Sequence, residues 1–188
     1  MSLAAQAANN ILVFGDSLSA SYGIAREASW PHLLRQELQS HHPRYEVVNA
    51  SISGETTAGG LRRFDRALEQ HRPAIVILEL GANDGLRGTS LDETEKNLDT
   101  LIRRAKKADA KVLLLGIQLP PNYGPAYTER FSALYPRLAK RHGIALTPFM
   151  LEGIPPEQFL PDNLHPNAAA QPRILHNVMQ HLQPLLRR

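Results

Sequence analysis

The segment Ala74–Leu80, Ala-Ile-Val-Ile-Leu-Glu-Leu, is apolar at every position except Glu79. A strand that is apolar at consecutive positions has both faces covered, which places it inside a parallel sheet with helices on either side. The rest of the chain agrees with that reading. Ile11–Phe14, Tyr45–Asn49, Lys111–Ile117 and Ile144–Thr147 read as further strands, separated by amphipathic stretches. Strands alternating with helices predict an α/β fold with a mostly parallel sheet.

Between the strands the 3.6-residue period is clear. Ser29 is placed to cap a helix from Trp30 to about Gln39, with Leu33, Leu34 and Leu38 on one face. Ala58–Gln70 spaces Leu61, Phe64, Ala67 and Leu68 for burial. Ser90 and Glu93 have capping-box spacing for a helix to about Ala108, with Leu91, Leu98, Leu101, Ile102 and Ala105 on its apolar face. Leu119–Pro125 reads as a proline-stiffened loop, followed by one helix to about Arg141. Residues 149–161 read as irregular, and Pro172 sits in the first turn of a last helix or kinks it. No repeat or linker interrupts the chain. It divides into an N-terminal remnant, residues 1–10, and one domain, residues 11–188.

Bulk properties exclude several classes. The basic residues exceed the acidic ones, giving a formal charge of +3, but they are scattered in pairs such as Arg62-Arg63 and Arg103-Arg104. Without a basic block and interleaved aromatics, nucleic acid is not expected as a partner. There are no cysteines, so disulfides, zinc–thiolate sites and cysteine nucleophiles are ruled out. No apolar run approaches the length of a membrane span, so stable membrane insertion is not expected. The segment Ala4–Ala8 reads either as the remnant of a signal cleavage site or as an Ala-rich terminus. No His-Glu-x-x-His, phosphate loop or dinucleotide fingerprint is present, so neither a metal nor a cofactor is expected.

The chemistry lies in four short stretches: Gly15-Asp16-Ser17-Leu18-Ser19, Ser53-Gly54, Gly81-Ala82-Asn83-Asp84 and Asp162-Asn163-Leu164-His165. If the strands are parallel, these stretches gather at one sheet edge, where open α/β sheets bind ligands. A serine hydroxyl needs a base within hydrogen-bond reach to act as a nucleophile. Ser17 follows the first strand directly, at a turn where a helix is expected to begin. His165 differs from the other seven histidines, which read as solvated. It lies between the last strand and last helix, with Asp162 three residues earlier, a spacing that folds a carboxylate back onto the imidazole. Candidate oxyanion donors are the N–H groups of Ser17 and Gly54 and the amide of Asn83. Asp16 and Asp84 read as structural, and Glu79 as a paired structural carboxylate. The region of Tyr123 and Tyr127 reads either as a groove wall or as a surface loop.

These four blocks, in this order, resemble those of the GDSL, or SGNH, hydrolases, and the resemblance runs from about Ile11 to Leu186. Asn49–Gly54, Glu79-Leu80-Gly81, Asp84–Gly88 and Leu119-Pro120 through Tyr123-Gly124 further resemble the thioesterase I / lysophospholipase L1 group, close to bacterial arylesterases. The resemblance implies a flavodoxin-like, three-layer α/β/α sandwich with a five-stranded parallel sheet. It implies hydrolysis of small acyl esters and thioesters through an acyl-serine, without a cofactor. Carried over by position, Ser17 is nucleophile, His165 base and Asp162 its orienter. Ser17, Gly54 and Asn83 are oxyanion donors, and Leu86, Leu119 and Tyr123 contact substrate. It also implies a periplasmic or secreted protein; a monomer is the default expectation. Two other readings stay open on the sequence: a carbohydrate O-deacetylase on the same scaffold, and a catalytically silent lipid-binding protein.

Overall fold

The computed structural model describes residues 9–186. The segment Ala4–Ala8, read above as a cleavage remnant or an Ala-rich terminus, lies outside the described residues. Five strands, β1 (Asn9–Gly15), β2 (Tyr45–Asn49), β3 (Ile75–Glu79), β4 (Lys111–Leu115) and β5 (Ala145–Thr147), form one sheet in the order β2-β1-β3-β4-β5. Every pairing is parallel. The helices are α1 (Trp30–His41), α2 (Thr57–His71), α3 (Ala82–Leu86), α4 (Leu91–Lys107), α5 (Pro125–Ser132), α6 (Leu134–His142) and α7 (Gln171–Leu182). β1 begins at Asn9, inside the stretch read as a remnant, because Asn9 and Asn10 pair with Tyr45 and Glu46.

Two cores flank the sheet, and strand alternation divides them. Leu12 and Phe14 of β1 and Val76 and Leu78 of β3 face Phe64, Leu98, Ile102 and Leu138, from α2, α4 and α6. Ile11, Val13, Ile75 and Ile77 face Trp30, Leu34, Ile174 and Val178, from α1 and α7. Residues i and i+2 of a strand share a face, so a continuous apolar strand supplies both layers at once. Truncating a fully buried side chain such as Leu34 or Phe64 to Ala should cost about 3–5 kcal/mol.

Several local expectations are corrected. The stretch 125–141 is two helices, broken at Ala133. Pro136 has no N–H to give Ser132 O, and its ring would collide with that carbonyl, so the first helix stops and a second starts. Neither Ser29 nor Ser90 caps with its side chain. Ser29 Oγ instead donates to Arg26 O at 2.6 Å. No helix opens at Ser17; residues 17–23 form successive turns. The short α3 puts Asn83 and Asp84 on a single helical turn. Pro172 does lie in the first turn of α7. His142 is not solvated: its Nε2 lies 2.7 Å from Asp99 Oδ1, tying α6 to α4.

The strand order reverses between β1 and β3. Ser17 follows β1 and Asn83 follows β3, so both emerge at that switch point, where the crevice of an open α/β sheet lies.

Candidate active site

Ser17 leaves β1 on a turn fixed by its neighbour. Asp16 O accepts from Ser19 N and Ala20 N, and Asp16 Oδ1 accepts from Leu18 N at 3.1 Å. The turn is held from outside by Trp30 Nε1, which donates to Leu18 O, and by Asn49 Nδ2, which donates to Ser19 O. The Ser17 hydroxyl is thereby turned toward the irregular segment before α7. His165 Nε2 lies 2.8 Å from Ser17 Oγ, across 148 residues of sequence. Its Nδ1 lies 2.7 Å from Asp162 Oδ2, while Asp162 Oδ1 accepts from Leu164 N and His165 N at 2.9 and 3.0 Å.

The tautomer follows from the partners. Slight burial pushes the Asp162 carboxyl up, but the N–H groups of His165 and Leu164 and the imidazole hold it down at about 2. Asp162 is therefore an acceptor only, and Nδ1 of a neutral imidazole carries the hydrogen. Nε2 is left with a lone pair aimed at the Ser17 hydroxyl. An unprotonated nitrogen at hydrogen-bond distance from a hydroxyl can take its proton.

Ser17 and Asn83 border the same space. Among the described residues neither Ser17 N nor Gly54 N has an acceptor. Gly54, in the loop after β2, has φ +78°, a left-handed conformation that favours glycine. Arg87 Nη2 donates to Gly54 O at 3.2 Å. Asn83 Nδ2 donates to Asp16 Oδ2 at 3.1 Å and to Glu55 O at 2.9 Å. Both hydrogens of the Asn83 amide are thus engaged.

Beneath the serine turn lie two buried carboxyls. Glu79 Oε2 accepts from Ser19 Oγ at 2.7 Å and Asp16 N at 3.1 Å, while its Oε1 is buried without a partner among the described residues. Burial raises Glu79 well above the usual carboxylate range, and the neighbouring Asp16 charge raises it further. Burial pushes Asp16 up to about 6, opposed by its hydrogen bonds from Leu18 and Asn83. Asp84 accepts from Thr57 N and Thr57 Oγ1, fastening α3 to the start of α2.

A groove opens beside Ser17 and His165, lined by Leu86, Ile117, Leu119, Pro120 and Leu151 with Ala82 and Leu164. Of the three substrate contacts expected from sequence, Leu86 and Leu119 line it. Tyr123 is not among the lining residues: its hydroxyl donates to Leu86 O at 3.1 Å, and Tyr127 donates to Gly85 O. Both tyrosine hydroxyls thus bond to backbone oxygens of α3. Ile117, Leu151 and Leu164 were missed. Ile117 carried a signal, standing at the end of an apolar run that leads to the edge where Ser17 lies; Leu151 and Leu164 lie in irregular segments that carry none.

Comparison with known proteins agrees with this geometry. The model of the GDSL-like Lipase/Acylhydrolase family matches residues 13–172. The chain is 50% identical to Esterase TesA of Pseudomonas aeruginosa, covering 96% of this chain and 90% of that protein. It is 46% identical to Thioesterase 1/protease 1/lysophospholipase L1 of Escherichia coli, over 97% of this chain and 87% of that protein. Among solved structures, one of TesA superposes with a TM-score of 0.92 at 48% identity, covering 95% of this chain and 100% of that one. Esterase EstA of Pseudoalteromonas sp., solved as inhibited by monoethylphosphonate, superposes at 0.89 with 39% identity, covering 95% and 98%. A match over most of the sequence, with relatives this similar over nearly their whole length, means that the chain belongs to the GDSL-like lipase/acylhydrolase family of serine hydrolases.

Proposed function

We propose that this chain hydrolyses small acyl esters and thioesters through an acyl-serine, with Ser17 as nucleophile, His165 as base and Asp162 as its orienter. The observation that carries the reading is the continuous chain from Asp162 Oδ2 through the imidazole to Ser17 Oγ, at 2.7 and 2.8 Å. Ser17 Oγ attacks the acyl carbonyl carbon while His165 Nε2 takes its proton. The oxyanion formed is held by the N–H groups of Ser17 and Gly54 and by the Asn83 amide. When the tetrahedral intermediate collapses, the proton passes from Nε2 to the leaving oxygen or sulfur. Water then enters, gives a proton to His165, and attacks the acyl-serine; collapse frees the acid and returns the proton to Ser17.

The groove beside Ser17 suits an acyl chain, because Leu86, Ile117, Leu119 and Leu151 offer it an apolar wall. Relatives named as esterase, thioesterase, lysophospholipase and arylesterase support the same substrate range. The protein acts as a monomer on this reading, since one chain supplies every catalytic group. Export to the periplasm or beyond is part of the proposal and rests on the family resemblance. No helix among the described residues is long and apolar enough to cross a membrane.

The test has two arms. Rates on p-nitrophenyl esters and acyl-CoAs of increasing chain length should show turnover of both classes, with a preference set by the groove. Mass spectrometry after treatment with an organophosphonate should place the adduct on Ser17. Labelling at another residue, or no turnover of either class, would contradict the proposal.

A further inference from the structure

Tyr22 is among the few large hydrophobic side chains left in solvent, at 49% exposure, and the proposed mechanism gives it no role. Its ring packs on the imidazole of His165, with centroids 4.4 Å apart and planes inclined by 39°. The placement is built in from both sides. Ser21 adopts φ +65° and Gly23 φ +71°, so the turn around Tyr22 is bent by two left-handed residues. A Cβ on Gly23 would lie 2.5 Å from Leu160 Cδ1, so the turn is pressed against Leu160. Leu160 N in turn donates to His165 O at 2.7 Å. The aromatic ring and the histidine segment are therefore fixed relative to one another.

A reacting ester has two halves, and they need different walls. The acyl half fits the groove of Leu86, Ile117, Leu119 and Leu151, which Tyr22 does not line. The leaving atom must come within hydrogen-bond reach of His165 Nε2, which returns the proton to it. The group attached to that atom then passes alongside whatever covers the imidazole. A second exposed apolar side chain, Ile52 at 50% exposure, stands at the same sheet edge, its N–H bonded to Gly15 O at 3.0 Å.

We propose that Tyr22 forms the wall of a leaving-group subsite, whose exposed ring face stacks on aryl or other flat apolar alcohols and so sets leaving-group preference separately from acyl preference. The inference rests on the assignment of His165 as the proton carrier to Ser17. Offset and tilted aromatic pairs gain attraction beyond their buried area, which an aliphatic alcohol of similar pKa would not share.

The experiment compares kcat/KM for trifluoroethyl and phenyl butyrate, which report the acylation step. In Tyr22→Ala the phenyl-to-trifluoroethyl ratio should fall roughly three- to tenfold, the equivalent of one lost aromatic contact. In Tyr22→Phe, which keeps the ring, the ratio should stay within about twofold of the parent. The acyl chain-length profile should keep its shape in both. An equal fall on the two esters would mean that the ring acts only through His165 and would overturn the subsite, as would an unchanged ratio in Tyr22→Ala. Ser17→Ala, assayed alongside, separates the two claims: if it remains active, the catalytic assignment itself fails.

Discussion

Asp16 Oδ2 accepts a hydrogen bond from Asn83 Nδ2 at 3.1 Å, joining the residue before the serine to the helical turn after β3. The same nitrogen donates to Glu55 O at 2.9 Å, so the loops after β1, β2 and β3 meet at one side-chain amide. An amide anchored twice is positioned before substrate arrives, and to hold an oxyanion it must share or give up one of those two partners.

Asn83→Ala should therefore lower kcat by about 10²–10³ with little change in KM, as expected of a donor used chiefly in the transition state. Asp16→Ala, which releases one anchor and leaves the amide in place, should give a smaller fall in kcat. Steady-state kinetics on one p-nitrophenyl ester decide it; an effect confined to KM would show that the amide binds the ground state instead.

Asp162→Asn should cost on the order of 10³–10⁴ in kcat, because an amide no longer specifies the imidazole tautomer that Ser17 needs. Stability carries a matching signature. The folded-state value of about 2 lies below that of an unfolded aspartate, so the Asp162 contribution is present above the unfolded value and is lost as pH falls through about 2. Solvent reaches this carboxylate, with 36% of its side chain exposed, so the contribution is screened and small. Urea midpoints of wild type and Asp162→Asn should converge between about pH 4 and pH 2. A gap that widened toward acid would contradict the sign.

The fold was legible because its signals are local and repeated. Five apolar runs and helices with a 3.6-residue stripe pointed to the layers, and the resemblance agreed with the strand count. The triad contact was legible for another reason: Asp162 and His165 are three residues apart, and Ser17 ends a strand at the expected edge. What failed depended on contacts that sequence spacing does not encode. The hydroxyl of Tyr123, which is not among the groove's lining residues, bonds to the backbone oxygen of Leu86. The break at Ala133 needed Pro136 to be weighed against an otherwise helical pattern. The pairing of His142 with Asp99 joins residues 43 apart on different helices. Tyr22 carried no motif at all, and its contact with His165 arises from two left-handed residues and a press against Leu160.

The buried pair of Glu79 and Asp16 makes a prediction of the opposite sign. Both carboxyls are raised in the folded state, so they bind protons more tightly there than in the unfolded chain. Their contribution is fully present below the unfolded values, near pH 4, and is lost as pH rises through about 6 for Asp16 and higher still for Glu79. Glu79→Gln keeps an oxygen to accept from Ser19 and Asp16 while removing one titrating group. Its urea midpoint should vary less between pH 5 and pH 8 than that of the parent. An equal or steeper dependence would place the titration elsewhere.

Gly81→Ala should destabilise the protein by about 1–3 kcal/mol, from backbone strain at φ +121° and from a Cβ that would lie 2.5 Å from the Tyr135 hydroxyl. Tyr135 Oη donates to Leu80 O at 3.1 Å within the core, so it cannot yield without losing a buried bond. Adding Tyr135→Phe should recover part of the loss by removing the clashing oxygen. Denaturant melts of the single and double variants check this; equal stabilities for Gly81→Ala and parent would remove the strain argument.

The most direct measurement is the turnover of p-nitrophenyl butyrate by Ser17→Ala, with circular dichroism and thermal melting recorded on the same sample. Removing one hydroxyl at a surface turn should leave the melt unchanged and abolish acyl-serine turnover, a fall of roughly 10⁵ or more. A folded Ser17→Ala protein that still hydrolyses the ester at a rate near that of the parent would contradict the account.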